Sequence, residues 1–560
     1  MLCTCLGNAK AAESSVPVTG ETVELPKFVV EDTRLMPATE RWEYVSLPGY
    51  EILSSTSASK ARVFLRDFDR MQQVLGHIWP SLLRTPSGRP ITILLCDKVD
   101  CFKEYLSPAN QKDAAAYNQV FNQGPLGTAL VVDFQKTTLV TSSEDPRLAL
   151  INPAAESSSM TDEPRPGEIE ADPFKATMDA YLRLLLKQGA TPGGLSATPD
   201  WLVEGLVQII SAVDFSKKTI EIGRVGSETG PTPDDFNWVL STRKLLPLET
   251  LFGPMPEDVA QATTWKAQSY AFVHLCLFGD KLKYRQAVAV FAEKLRREPL
   301  TEALFRQCFG EGYKEMGENL RAYAYVPRMK YNRYDPKDKP VYVERTIPAL
   351  QEATASQVGR LRGEALCIVG DEARGMSFLL APYIAGERDP ELLGALGLAE
   401  NRQVRIERAR KLLEAAVKGH CKRAEVYLAL AKLRLDAAMA GRAGQVLTRK
   451  ELDLVLPLFK ESVAEQPNYR EQTEFIFGLW QSTKELPTRS DFDFLKLVAE
   501  PFAGRPSLVY QLASVAIAGG FMDEARELIA RGEKLSRDPR GVELFRKLSE
   551  KLPPGKAPAP

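Results

Sequence analysis

The sequence predicts an α+β N-terminal domain, a small sheet with helices, followed by an all-α region. Three observations carry this. Short apolar or alternating runs that suit strands fall in the first half of the chain, as in Ile91-Thr-Ile-Leu-Leu-Cys96. Apolar residues spaced three and four apart mark helices from about residue 173 onward. From about residue 345 the helical segments come in pairs, punctuated by Asp389-Pro390, Gln466-Pro467, Arg505-Pro506 and Asp538-Pro539. The 560 residues, 44% of them apolar, suffice for about three units at roughly 100–200 residues per domain.

Lysine and arginine number 72 against 73 aspartates and glutamates, a net charge of −1, and no polybasic stripe stands out. No nucleic-acid partner is expected. No window reaches ~18 uninterrupted apolar residues, so no transmembrane span is expected either. The eight cysteines contain no C-x-x-C pair, which argues against a zinc ribbon. They read as buried free thiols, Cys276 and Cys367 within apolar helical patterns. Residues 1–25 read as a residual or truncated export signal and flexible N-terminus. Ala9-Lys10-Ala11 suits a cleavage end, while a basic n-region is missing and Met1 to Leu6 is short for a signal core. The expected location is periplasmic or secreted, with the cytoplasm as the alternative, and a lipid anchor on Cys5 fails on the same shortness.

Residues 26–152 make the α/β part of the first domain. Around its start Thr22 to Leu25 and Phe28-Val29-Val30 alternate like strands, and Leu47-Pro48-Gly49-Tyr50 is a turn. From Ser59 to Trp79, residues Val63, Phe64, Phe68, Met71, Val74, Leu75 and Ile78 define one buried helix face, which Pro80 ends. His77 in the last turn suits a helix-end cation. Thr128 to Phe134 and Thr137 to Thr141 are expected to form a hairpin around Gln135-Lys136. Residues 153–172 are polar, acidic and proline-bearing, and read as a flexible linker. Residues 173–330 make the helical part, with helices at about 173–188, 201–213, 264–279, 282–297, 301–308 and 313–324, and a short strand over Thr219 to Gly223. The tyrosine-rich stretch from Tyr323 to Tyr342 reads as a connector packing on the domain.

Residues 345–552 are the paired helices. Their clearest unit runs from Leu508 to Ala530: Ala513, Ala516 and Ala518 let two helices approach, Gly519-Gly520 turns the chain, and Ala525 starts the return helix. The same grammar recurs around Gly363-Glu-Ala-Leu366 and Ala429-Leu-Ala431. This run resembles tetratricopeptide repeats, unevenly spaced. The resemblance implies an all-α solenoid, whose pairs bury their apolar faces only by stacking. Residues 553–560 read as a disordered tail.

The segment from Asp172 to Leu186, DPFKATMDAYLRLLL, is followed by Pro199-Asp-Trp-Leu-Val-Glu-Gly-Leu-Val-Gln-Ile-Ile-Ser211 and then by Trp265 to Gly279. In that order the three segments, within residues 26–330, resemble the active-site helices of gluzincin metallopeptidases, the thermolysin-like or peptidase-MA-like group. The resemblance implies a first helix with H-E-x-x-H, two zinc imidazoles flanking a glutamate base, and a second helix with a glutamate as third ligand in a W-L-x-E-G pattern. Trp201-Leu202-Val203-Glu204-Gly205 matches the second. The first departs: with Tyr181 aligned to the tyrosine common inside the motif, Asp179-Ala180-Tyr181-Leu182-Arg183 covers H-E-x-x-H, so both histidines and the base are replaced. A shift by one residue, Met178 to Leu182, keeps Asp179 as a carboxylate base and still loses both ligands.

Without about three protein ligands there is no catalytic zinc, and without zinc no water is activated at neutral pH. No cofactor and no catalytic residue are therefore expected. Asp179 and Arg183 stand one turn apart and Glu204 should approach from the next helix, so a guanidinium between two carboxylates could stand in for the metal; a plain surface pair Asp179–Arg183 is the alternative. His274, between Val273 and Leu275, reads as a core histidine. Gly223, Gly226 and Gly230 lack a P-loop lysine, and no G-x-S-x-G elbow is present. The function expected is a non-catalytic pseudopeptidase joined to a helical-repeat module, binding a protein or peptide. An active metal-dependent peptidase with atypical ligands and a purely tetratricopeptide scaffold are the alternatives. Nothing in the sequence specifies an oligomeric state.

Overall fold

The computed structural model describes residues 25–28, 40–79, 90–97, 99–107, 111, 119–124, 127–134, 182–183, 186, 199–213, 219–223, 236–279, 282–295, 300–324, 331–335, 341–343, 345–442, 446–466, 469–503, 505–536 and 539–552. The chain divides into two compact units, one of residues 34–382 and one of residues 383–560 together with residues 1–33.

The first unit is built on a mixed sheet of β1 (Glu43–Leu47), β2 (Tyr50–Ser54), β3 (Ile91–Cys96), β4 (Gln119–Gly124) and β5 (Gly127–Asp133), with a two-residue strand β8 (Gln351–Glu352) at one edge. The order is β4-β5-β3-β2-β1-β8. β2, β3 and β5 run parallel, in a register that aligns Leu53 with Leu94 and Leu94 with Val131. β1 and β2 form a hairpin across Pro48-Gly49, where Gly49 takes φ +83, a conformation a two-residue turn reserves for glycine. The 21-residue helix α1 (Ala58–Ile78) carries the chain from β2 toward β3.

The continuous apolar run of β3 has a direct cause: the sheet is covered on both faces, so alternate residues enter different cores. Ile91, Ile93 and Leu95 join Ile52, Leu130 and Val132 under α1, whose buried stripe includes Phe64, Phe68, Met71 and Leu75. Leu94 and Cys96 join Leu53, Ala129 and Val131 on the other face, against α2 (Val99–Lys103) and Leu361, Ala365 and Leu366 of α10 (Ala355–Val369). Between these come α3 (Asp200–Ser211), β6 (Ile220–Ile222), α4 (Phe236–Thr242), α5 (Leu248–Phe252), α6 (Val259–Phe278), α7 (Arg285–Leu295), α8 (Glu302–Phe309), α9 (Tyr313–Ala324) and β7 (Asn332–Tyr334), which pairs with β6.

Several expectations are corrected here. The strand that pairs with Thr128 to Phe134 precedes it: β4 binds β5 antiparallel, from Gln119 opposite Val132 to Gly124 opposite Gly127. Thr137 to Thr141, and the linker 153–172, lie outside the described residues. Helix α10, within the stretch expected as paired helices, covers the sheet and belongs to the first unit. Leu25 to Phe28 have no strand and go with the second unit, where Phe28 meets Tyr383 edge-on at 5.4 Å and the Tyr383 hydroxyl donates to the Pro26 carbonyl. No described helix is long and apolar enough to cross a membrane.

From α11 (Glu372–Ile384), which runs across the division, the chain is helical: α12 (Pro390–Arg402), α13 (Ile406–Lys418), α14 (Ala424–Ala438), α15 (Arg449–Glu465), α16 (Arg470–Gln481), α17 (Arg489–Ala499), α18 (Pro506–Ala518), α19 (Met522–Leu535) and α20 (Pro539–Ser549). From α12 on, helices touch their successors, and α12, α14, α16, α18 and α20 also touch in sequence. The Leu508 to Ala530 unit is α18, a Gly519-Gly520 turn with Gly520 at φ +78, and α19. Ala513, Ala516 and Ala525 are buried, whereas Ala518 is exposed and takes no part in the approach. Helix starts are tied together by charge. Thr448 and Thr488 form capping boxes with Glu451 and Asp491, Arg449 donates to Asp491 at 2.6 Å, and Arg489 donates to Glu524.

Candidate functional site

Helix α3 follows Pro199, whose carbonyl accepts from the Leu202 and Val203 amides, both at 3.0 Å. Nine of its residues are buried, Trp201 to Val207 together with Ile209 and Ile210, so it is a core helix with almost no solvent face. Trp201 packs edge-on against Phe252 and Phe272, with ring centroids 5.2 and 5.4 Å away. Gly205 marks the crossing with α6: an added Cβ would lie 2.5 Å from Val273 Cγ2 and 2.8 Å from the Ser269 carbonyl oxygen. Since that oxygen is backbone and cannot step aside, Gly205→Ala is expected to cost about 2 kcal/mol by overpacking. Denaturant unfolding measures this, and Val273→Ala in the same chain should recover part of the loss.

The acidic residue of α3 is Glu204, and its side chain is only 5% exposed. Both of its oxygens are engaged. Arg183 Nη1 donates to Oε2 at 2.6 Å, and Gln208 Nε2, one turn along the same helix, donates to Oε1 at 3.0 Å. Burial pushes the Glu204 carboxyl up, but the hydrogen bonds from Arg183 and Gln208, with the charges of Arg183 and Lys266, outweigh it and hold the group below its ordinary value. Arg183 lies in a helix with Leu182 and Leu186, both buried, and its side chain is 38% exposed. The structure thus brings Arg183, Glu204, Trp201 and Gly205 into one region. Asp179, Ala180 and Tyr181 lie outside the described residues. Gln208 was not singled out by the sequence, although its spacing of four from Glu204 on a helix was the available signal.

The histidines are committed elsewhere. His274 is buried on α6: its Nε2 donates to the Gly223 carbonyl at 2.6 Å, which leaves Nδ1 to accept from the Tyr323 hydroxyl at 2.7 Å. Burial lowers it to about 4, against the upward pull of the Gly223 bond, so it is neutral. His77 stands in the last turn of α1. Burial and the Arg285 charge lower its value, and its ring meets Tyr334 edge-on while Nε2 lies 3.1 Å from the Tyr334 hydroxyl. His420 Nδ1 lies 2.9 Å from Glu461. Both Glu204 oxygens thus already accept hydrogen bonds, one of them from the Arg183 cation. Among the described residues no three histidine, cysteine, aspartate or glutamate side chains are grouped to hold a metal ion.

Set against protein-family models, curated proteins and solved structures, the chain matches none of them.

Proposed function

We propose that the first unit is a gluzincin-like pseudopeptidase, a metallopeptidase cleft without its metal, joined to a tetratricopeptide-like solenoid. The protein binds a protein or peptide partner and works as an exported, envelope-type component. The observation that carries this reading is the 2.6 Å contact between Arg183 and Glu204. In the register that aligns Tyr181, these residues hold the positions of the second zinc imidazole and the third zinc ligand, and a guanidinium there supplies the positive charge that a carboxylate in a core requires. The shifted register would put the buried Leu182 at the ligand position, which gives the site no such charge. The order of mixed sheet, glutamate helix and apolar downstream helix supports the same reading, as does the contact of alternate helices from α12 to α20 for the stacked repeats.

The test uses the full chain mixed with a random peptide library and separated by size. A subset of peptides retained and recovered intact is the expected result. Cleaved peptides, or none retained, would overturn the reading. The same separation with Arg183→Ala locates the binding: lost retention puts it at the Glu204 region, and unchanged retention puts it on the paired helices.

A further inference from the structure

Strand β3 ends at Cys96, and the short helix α2 folds Cys101 back over that end. The two Sγ atoms lie 3.0 Å apart. A disulfide bond is about 2 Å long, so the thiols are in contact and unbonded. They sit in one apolar cluster with Leu94, Phe102, Tyr105 and Val131, Cys96 fully buried and Cys101 with 7% of its surface exposed. Cys96 is fixed by the ladder, since its carbonyl accepts from the Phe134 amide at 2.8 Å. Cys101 stands on a five-residue helix, which has few backbone hydrogen bonds to lose when it opens locally.

We propose that Cys96 and Cys101 are a disulfide-forming pair, closed by exchange with a soluble disulfide of the oxidised-glutathione class. Cys101 gives up its proton and its thiolate attacks one sulfur of that disulfide, forming a mixed disulfide and expelling a thiolate that takes up a proton. Cys96 then loses its proton and attacks Cys101 Sγ; the internal bond forms, and the second small thiolate leaves and is protonated. Two protein thiols are oxidised and one external disulfide is reduced to two thiols. Burial, with the hydrogen bond to Cys101, pushes the Cys96 thiol well up. The second step is therefore driven by placement against Cys101 and not by a ready supply of thiolate. An oxidising compartment closes the pair and a reducing one leaves it open.

The sequence supplies its own test, because Lys98 lies between the two cysteines and Lys103 follows the second. The folded full chain is treated with oxidised glutathione, its remaining thiols are blocked with maleimide in denaturant, and trypsin is added. The expected product is the peptide ending at Lys98 joined to the peptide of residues 99–103, with two maleimide labels lost and Cys276 still fully labelled. Reduction should separate the peptides, and Cys96→Ser should leave Cys101 as a mixed disulfide with glutathione. Full labelling of both cysteines after oxidation, or a mixed disulfide on Cys101 that persists in the unsubstituted chain, would overturn the proposal.

Discussion

Arg362→Ala is expected to destabilise the first unit by about 4 kcal/mol, the middle of the range for removing one partner of a buried charged group. Arg362 is 3% exposed on α10, yet all three of its nitrogens are used. Nε donates to the Tyr105 hydroxyl at 2.9 Å, Nη1 to Glu40 at 2.7 Å and Nη2 to Glu104 at 2.8 Å. The guanidinium also lies over the rings of Phe378 and Trp42, at 4.4 and 5.2 Å. Burial works against its charge, but Tyr105, Cys101 and Glu104 more than offset that and hold it protonated. Alanine removes these bonds together, including the one that the buried Tyr105 hydroxyl accepts. Arg362→Lys keeps the charge but not the planar fork, and should fall about halfway. Hydrogen exchange of the β3 amides under mild denaturant reads the loss within this unit; a loss below about 1 kcal/mol in the alanine variant would show that the network is dispensable.

Arg183→Ala should cost about 3 kcal/mol at pH 7, the lower end of the same range because Arg183 is itself partly exposed. Its pH dependence is the more diagnostic result. In the native chain the folded Glu204 carboxyl titrates below its unfolded value, so it contributes stability that is present above the ordinary carboxylate range and is lost as pH falls through the folded value. Without Arg183, burial dominates and the folded carboxyl moves up. The variant's stability should then be present in acid and decline as pH rises past about 4.3, the ordinary glutamate value. The two chains should therefore converge in acid and diverge toward neutrality. Adding Glu204→Gln to Arg183→Ala removes the stranded charge and should restore about half the loss at pH 7. Parallel curves across this range would mean that the ion pair contributes nothing.

The parts of the fold written in local pattern were legible. The stripe of α1, the Pro48-Gly49 turn, the β3 run and the Gly519-Gly520 helical hairpin each depend on residues close in sequence. What depended on distant partners was not. The small residues of α10 resemble those of the paired helices, but Gly359 and Gly363 serve close contact with α11, at the Phe378 and Gly375 carbonyls, while the rest of α10 covers the sheet. Arg360 and Arg362 look like surface cations in sequence, and become buried only because Glu51, Glu40 and Glu104 lie opposite them across the fold. At the candidate site the resemblance of the W-L-x-E-G pattern pointed to Glu204, and the register that aligns Tyr181 with the family's motif pointed to Arg183. Gln208 went unremarked because an amide becomes informative only once the carboxylate beside it is known to be buried.

Zinc binding to the full chain, followed by equilibrium dialysis and elemental analysis at pH 7, tests the central reading most directly. The guanidinium at Glu204 predicts far less than one equivalent of zinc, with no difference between the native chain and Glu204→Gln. One tightly held equivalent that disappears in Glu204→Gln would contradict it, and would make this carboxylate a metal ligand after all.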